Sequence, residues 1–295
     1  MADAQRVAEA EGCIRKAEKH LKTSLIGLKF KPDYDSAASE YERASVCYKN
    51  ARKLELCRDA YLKAADCHEQ NGILFHGAKC REQAAYVCRD LGDMEKAKDL
   101  MMLAAQQYAE SGTAETSTQA LDKAAKFFEQ TDPEKALEVY RKAYELVQET
   151  DKTKQLTEFL NRMTKIYMRL EKYDEAARNL REEIDLYAEW GEAPKVGRLT
   201  SGLVLVQLHR GDPIEANKCF QASFRVKGFA QTEDAMTLGA VISAFETGDQ
   251  NKWNECIGSP QMRQLDDHFL RLIKKMKLPA AQGEAEEDDE DEDLK

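Results

Sequence analysis

A chain of 295 residues that is 42% hydrophobic and 33% charged, with only 15 Gly and 6 Pro, is rich in charge and poor in turn formers. That balance favours long amphipathic helices with short connections over sheet or disorder. The formal net charge is −10, but nine acids lie between Glu284 and Asp293, and without that tail and Lys295 the body is nearly neutral, so the basic surplus that nucleic-acid binding needs is absent.

The chain opens Met1-Ala2-Asp3-Ala4-Gln5-Arg6, with neither an apolar signal core nor a myristoylation Gly. A helical lead-in follows, then a loop from Lys22 to Tyr34 that holds Leu25, Ile26, Leu28 and Phe30 between Lys22, Lys29 and Lys31. Eight cysteines, Cys13, Cys47, Cys57, Cys67, Cys80, Cys88, Cys219 and Cys256, occur singly with no Cys-x-x-Cys pair, as expected of small buried residues in a reducing compartment.

From there small residues recur in register, as Ala64-Ala65, Ala84-Ala85, Ala104-Ala105 and Ala124-Ala125, then Ala143, at steps of about twenty residues. Helix breakers keep the same beat: Gly72, Gly92 and Gly112, then Asp132 and Asp151, then Gly191 and Gly211. Between them apolar residues fall at helical spacing, as in Leu121, Ala124, Ala125 and Phe128. Asp132-Pro133 and Asp212-Pro213 are helix starts, each an N-cap Asp before a Pro whose missing N–H costs nothing in the first turn. Paired alanines let antiparallel neighbours approach closely, and Tyr108 and Phe128 fill the next gap. The expected fold is all-α, a right-handed tetratricopeptide-like solenoid of antiparallel hairpins over residues 1–250. The longest apolar stretch, around Leu203-Val204-Leu205-Val206, is too short to span a bilayer.

Beyond Trp253 the repeat becomes irregular. Gly258-Ser259-Pro260 interrupts it before a last helix expected near Met262 to Lys277, so residues 251–278 read as part of a C-terminal helical bundle. After Pro279 the chain to 295 is an acidic tail with too little apolar content to fold alone.

Catalytic signatures are missing. There is no G-x-x-x-x-G-K-[ST], no G-x-G-x-x-G and no nucleophile elbow, so no cofactor and no catalysis are expected. Cys67, His68, His76 and Cys80 form the best metal candidate, with His76 and Cys80 sharing a helix face, but both helices are explained without metal and none is expected. Asp266-Asp267 and Asp288-Asp289 suggest the paired carboxylates of a helical prenyl transferase, but a solvated tail cannot supply one side of a deep apolar cavity.

The order of features, a helical lead-in, an apolar loop, a hairpin solenoid, an irregular C-terminal bundle and an acidic end, resembles the soluble NSF attachment proteins. Ala17-Glu18-Lys19 and the run Lys29-Phe30-Lys31-Pro32-Asp33-Tyr34-Asp35-Ser36-Ala37-Ala38-Ser39-Glu40-Tyr41 look most like the family's gamma form, with further matches along Asp132-Pro133-Glu134-Lys135-Ala136 and at Phe229. The end Asp291-Glu292-Asp293-Leu294-Lys295 is closer to the acidic, Leu-penultimate end of the alpha form. The resemblance implies an adaptor in the cytoplasm, peripherally associated with membranes, that wraps SNARE four-helix bundles and docks the hexameric ATPase NSF.

On that reading Leu25, Ile26, Leu28 and Phe30 are the expected membrane contacts. Lys123, Lys126, Arg162, Lys165 and Arg198 are the expected contacts to acidic SNARE surfaces. Asp266, Asp267, Asp291, Glu292, Asp293 and Leu294 are the expected contacts to NSF. The rival reading is a tetratricopeptide co-chaperone or peptide-binding scaffold, but no Lys-x-x-x-Asn series repeats at the unit period.

Overall fold

The computed structural model describes residues 2–23, 31–148 and 153–279. They form helices and turns, with no strand among the described residues. The chain divides into two compact units, 1–149 and 150–295, a division that the periodicity, running on past it, does not announce.

The first unit holds α1 (Ala2–Leu21), α2 (Tyr34–Asn50), α3 (Leu54–Gln70), α4 (Leu74–Asp90), α5 (Met94–Glu110), α6 (Ala114–Phe128) and α7 (Pro133–Gln148). Each helix packs on the one before it and the one after it, and short turns make neighbours antiparallel. The alanine pairs lie in these seams as expected: Ala64, Ala65, Ala84, Ala85, Ala104, Ala124 and Ala125 are all 0% exposed. Tyr108 and Phe128 are buried beside them. In the first seams Ala10 and Cys13 of α1 meet Ala44 and Tyr48 of α2, while Ala17 meets Ala37, Ala38 and Tyr41.

The turns are copies of one motif. Gly72, Gly92 and Gly112 take the left-handed conformation, with φ of 73°, 83° and 80°. The next N–H then bonds back to the helix end, Ile73 to the carbonyl of His68 at 2.8 Å, Asp93 to Cys88 at 2.9 Å and Thr113 to Tyr108 at 2.9 Å. This satisfies carbonyls that a helix C-terminus otherwise leaves open. The pattern also occurs where no glycine marks it: Arg52 (φ 55°) and Glu171 (φ 58°) take the same conformation, and Lys53 and Lys172 close the loop onto Tyr48 and Tyr167. Helices then restart on capping side chains, as where Asp93 accepts from Lys96 N–H and Asp212 from Glu215 N–H.

The second unit begins with the same hairpins, α8 (Thr153–Arg169), α9 (Tyr173–Glu189), α10 (Ala193–His209) and α11 (Pro213–Ser223). It continues through a 3₁₀ turn at Phe229–Gln231, α12 (Glu233–Thr247), α13 (Gln250–Ile257), α14 (Pro260–Arg263) and α15 (Asp267–Lys275). Helix α10 is its centre, packed against α9, α11, α12 and α15. The apolar run Leu203-Val204-Leu205-Val206 is therefore core, buried all round because helices cover it on every side. No helix among the described residues is long and apolar enough to cross a membrane.

One expected element is corrected. The last helix is not continuous from Met262 to Lys277: α14 stops at Arg263, buried Leu265 turns inward, and Asp266 stands at the N-terminal cap position of α15. Leu265 and Phe269, on either side of the break, are both buried.

A Cβ added at Gly112 meets nothing within 4 Å, so the cost of a side chain there is that of the left-handed backbone alone. Gly112→Ala is expected to destabilise the fold by about 1 kcal/mol, whereas Arg52→Gly is expected to be neutral or slightly stabilising because strain relief offsets added chain entropy. Urea unfolding of the two variants checks the difference.

Candidate partner-binding surfaces

In the first unit the buried stripe of α6, Leu121, Ala124, Ala125 and Phe128, turns Lys123 and Lys126 toward solvent. Lys126 Nζ lies 2.7 Å from Asp122 Oδ2, one turn earlier on the same helix. Such a pair contributes a few tenths of a kcal/mol (~0.3–0.5) and holds its charge loosely. Lys123 is different. Its Nζ is 2.7 Å from Oε1 of Glu82 on α4, a carboxylate that also accepts from the Tyr108 hydroxyl at 2.9 Å. Glu82 is 8% exposed, so Lys123 neutralises a buried acid. Burial acts to lower the Lys123 pKa, but the Glu82 contact outweighs it and the net shift is upward.

In the second unit two of the remaining bases, Lys165 and Arg198, meet the chain at the start of α15. Lys165 of α8 stands 3.3 Å from Asp266, so a residue expected to face one partner and a residue expected to face another form one ion pair. Arg198 of α10 donates to the backbone carbonyl of Gln264 just before α15. Arg162, three residues before Lys165, is half-buried and holds an interaction of its own. At the far end of α15, Lys275 Nζ is 2.5 Å from Glu171 in the α8–α9 turn. Midway, the Phe269 ring lies over Gly202 of α10, where an added Cβ would fall 2.5 Å from the ring. The glycine makes the seat for that ring. Asp267, the first residue of α15, is exposed.

Beneath this charged rim lie two groups the sequence reading missed. Glu183 of α9 is 4% exposed, with one carboxylate oxygen lacking a hydrogen-bond partner. Burial first, then the charge of Asp266, push its pKa up to about 8 against the pull of Lys165 and Lys195. Burial pushes His268 down to about 4. Both are therefore uncharged at neutral pH. A signal for Glu183 was present: Ala176, Ala177, Leu180 and Ile184 form the buried stripe of α9, and Glu183 occupies the next stripe position.

The expected membrane contacts Leu25, Ile26, Leu28 and Phe30 lie outside the described residues, as do Asp291, Glu292, Asp293 and Leu294. The neck of the loop is described. Asp33 N–H donates to the His20 carbonyl at 3.0 Å, and His20 Nδ1 lies 3.2 Å from Asp33 Oδ2. Residues 20 and 33 are thus clasped together, with Lys22 and Lys31 exposed beside the clasp.

Of the residues weighed as metal ligands, His68 and Cys80 bring donor atoms together, while Cys67 shares the buried cluster of Cys80 without joining that group and His76 is exposed with its ring 5.3 Å from that of His68. The third member is Glu42 of α2, which no local spacing pattern could reveal. His68 Nε2 is 2.7 Å from Glu42 Oε1, and Cys80 Sγ donates to the same oxygen at 3.6 Å. Burial first, then Glu42, push the Cys80 thiol up to about 12.

The family model described as "Soluble NSF attachment protein, SNAP" matches residues 8–280. The gamma-soluble NSF attachment protein of Arabidopsis thaliana is 23% identical over 97% of this chain and 99% of its own. The corresponding gamma protein of Dictyostelium discoideum is 19% identical over 92% and 83%, and the alpha-soluble NSF attachment protein of Vitis vinifera is 23% identical over 97% and 99%.

Because Glu183 holds its proton more tightly folded than unfolded, its contribution to stability is lost as pH rises toward 8. His268 has the opposite sign, with stability lost as pH falls from about 6.5 to about 4. Stability is expected to decline between pH 6.5 and 8, and Glu183→Gln is expected to flatten that decline. Thermal melts across the range check it.

Proposed function

The chain belongs to the soluble NSF attachment protein family, and from that premise we propose that it binds SNARE complexes at membranes and recruits and stimulates NSF for their disassembly in vesicle trafficking. The family's members are attachment adaptors for NSF, and the match over residues 8–280 is the observation that carries the reading. A stack of helix hairpins suits this work, because it offers a long surface to a long partner and transmits force without folding chemistry of its own. Residues 1–250 serve as the hairpin scaffold, 251–278 as the C-terminal bundle portion, and 279–295 as the acidic tail.

SNARE contact falls to Lys123, Lys126, Arg162, Lys165 and Arg198. Lys126 and Lys165 are held by half-exposed ion pairs, and such pairs contribute little. Exchanging Asp122 or Asp266 for an acidic partner surface therefore costs little. The exchange is harder for Lys123, whose partner Glu82 is buried. NSF contact falls to Asp266, Asp267, Asp291, Glu292, Asp293 and Leu294. The acids steer a basic docking surface, which acts mainly on association rate, and Leu294 adds an apolar contact that charge cannot. Deleting residues 283–295 is expected to leave SNARE binding intact and to slow NSF-driven disassembly severalfold, with Leu294→Ala giving a smaller loss of stimulated ATP turnover. Full-rate disassembly by the deletion variant would remove the tail from the mechanism.

Membrane contact falls to Leu25, Ile26, Leu28 and Phe30. Burying apolar area at about 25 cal/mol per Å² gives only weak, reversible binding, helped by the flanking lysines on anionic lipid. On a membrane-anchored SNARE complex the contact becomes intramolecular and gains from effective concentration. Ile26→Ser with Phe30→Ser is expected to slow disassembly on liposomes several times more than in solution. Equal losses in the two assays would make the loop a structural element.

A further inference from the structure

Three successive helices of the first unit each send one donor atom to the same point. Glu42 comes from α2, His68 from α3 and Cys80 from α4, and their ligand atoms lie within 4.8 Å of one another. We propose that Glu42, His68 and Cys80 form a binding site for a borderline-soft divalent cation, zinc above all, that clips α2, α3 and α4 together.

The donor set selects the metal. Thiolate with imidazole favours zinc, while calcium and magnesium take oxygen donors in larger number. Geometry agrees at the edge between the sulfur and the carboxylate oxygen. With Zn–S of about 2.3 Å and Zn–O of about 2.0 Å, tetrahedral coordination separates sulfur from oxygen by about 3.5 Å. Cys80 Sγ and Glu42 Oε1 are 3.6 Å apart. The 2.7 Å contact between His68 Nε2 and Glu42 Oε1 is a hydrogen bond, which widens by about 0.6 Å when a cation of this size replaces the shared proton. That movement lies within the freedom of the Glu42 side chain, which is 45% exposed.

His68 and Cys80 are buried, at 6% and 4% exposure, so the two donors with the strongest preference for zinc sit in a dry, rigid seam. Glu42 opens to solvent and gives the ion its entry path. Local charge also suits a cation, because Arg81, the nearest buried base, has its guanidinium occupied by Glu69 at 2.5 Å, Asp66 at 3.3 Å and Gln107 at 2.9 Å. Binding exchanges the Cys80 S–H and the Glu42–His68 hydrogen bond for three bonds to the ion. The thiol proton leaves to solvent, the imidazole proton that Nε2 shared with Glu42 passes by exchange with water to Nδ1, which frees Nε2 to ligate, and water fills the fourth position.

The test is titration of the full chain with cobalt(II), followed by competition with zinc. One equivalent of cobalt is expected to produce a near-ultraviolet thiolate-to-cobalt charge-transfer band, and zinc to abolish it. Cys80→Ser is expected to remove the band and Cys67→Ser to leave it. Glu42→Gln, a change at the exposed edge of the site that keeps the fold, is expected to weaken binding at least tenfold. Circular dichroism establishes that each variant is folded, and a zinc-dependent rise in Tm of the unaltered chain, reversed by chelator, gives a readout independent of any substitution. A wild-type chain with no band and no Tm shift overturns the proposal, as does a band that survives Cys80→Ser or an affinity untouched by Glu42→Gln.

Discussion

Close approach of helix backbones across paired alanines is the constraint from which the rest of this structure follows. Side chains this small leave no room for an intervening layer, so α3 to α6 lie against one another along continuous seams. Close packing of this kind is unforgiving of volume change. It also leaves little apolar area in any one seam, so stability accumulates from neighbour to neighbour and the turns must hold each helix at a fixed angle to the next. The repeated left-handed turn does this work, closing each helix with two backbone hydrogen bonds and starting the next within three residues.

Polar groups buried in such thin seams have few neighbours to satisfy them, and the structure gives several of them a cross-helix partner. Glu82 receives the Tyr108 hydroxyl and the Lys123 ammonium, Arg81 is shared among Glu69, Asp66 and Gln107, and Thr200 meets Ser223 at 2.8 Å within the second unit. Removing one member of such a set leaves the other unpaired in a low-dielectric interior, which costs more than the contact itself contributes. Some basic residues that a surface reading assigns to a partner are therefore structural as well. Lys123 is one, and its charge is only partly at the disposal of anything outside the chain.

The second unit solves a different problem. Helix α10 is enclosed, and the short helices that follow it serve to cover it. Helix α15 is seated by Phe269 over Gly202 in its middle, with exposed ion pairs of Lys165 to Asp266 at its start and Lys275 to Glu171 at its end. The uncharged pair beneath, Glu183 and His268, keeps the interior neutral while the rim carries the charge.

By itself the sequence determined the all-helical class, the twenty-residue beat, the alanine seams and the family, because each of these is written in local spacing or in the order of segments. Glycine marked three turns of the first unit but not those at Arg52 and Glu171, where the backbone takes the same conformation with a side chain that gives no warning. Only the tertiary structure decided that Lys165 faces Asp266, that Glu42 joins His68 and Cys80, that Glu183 is buried, and that the last helix breaks before Asp266. Each of these depends on residues 26 to 101 positions apart in the chain or on which face a neighbouring helix covers. Helical periodicity fixes the face a side chain occupies on its own helix, but the partner across the seam is set by packing angle and register, and those are decided where the helices meet.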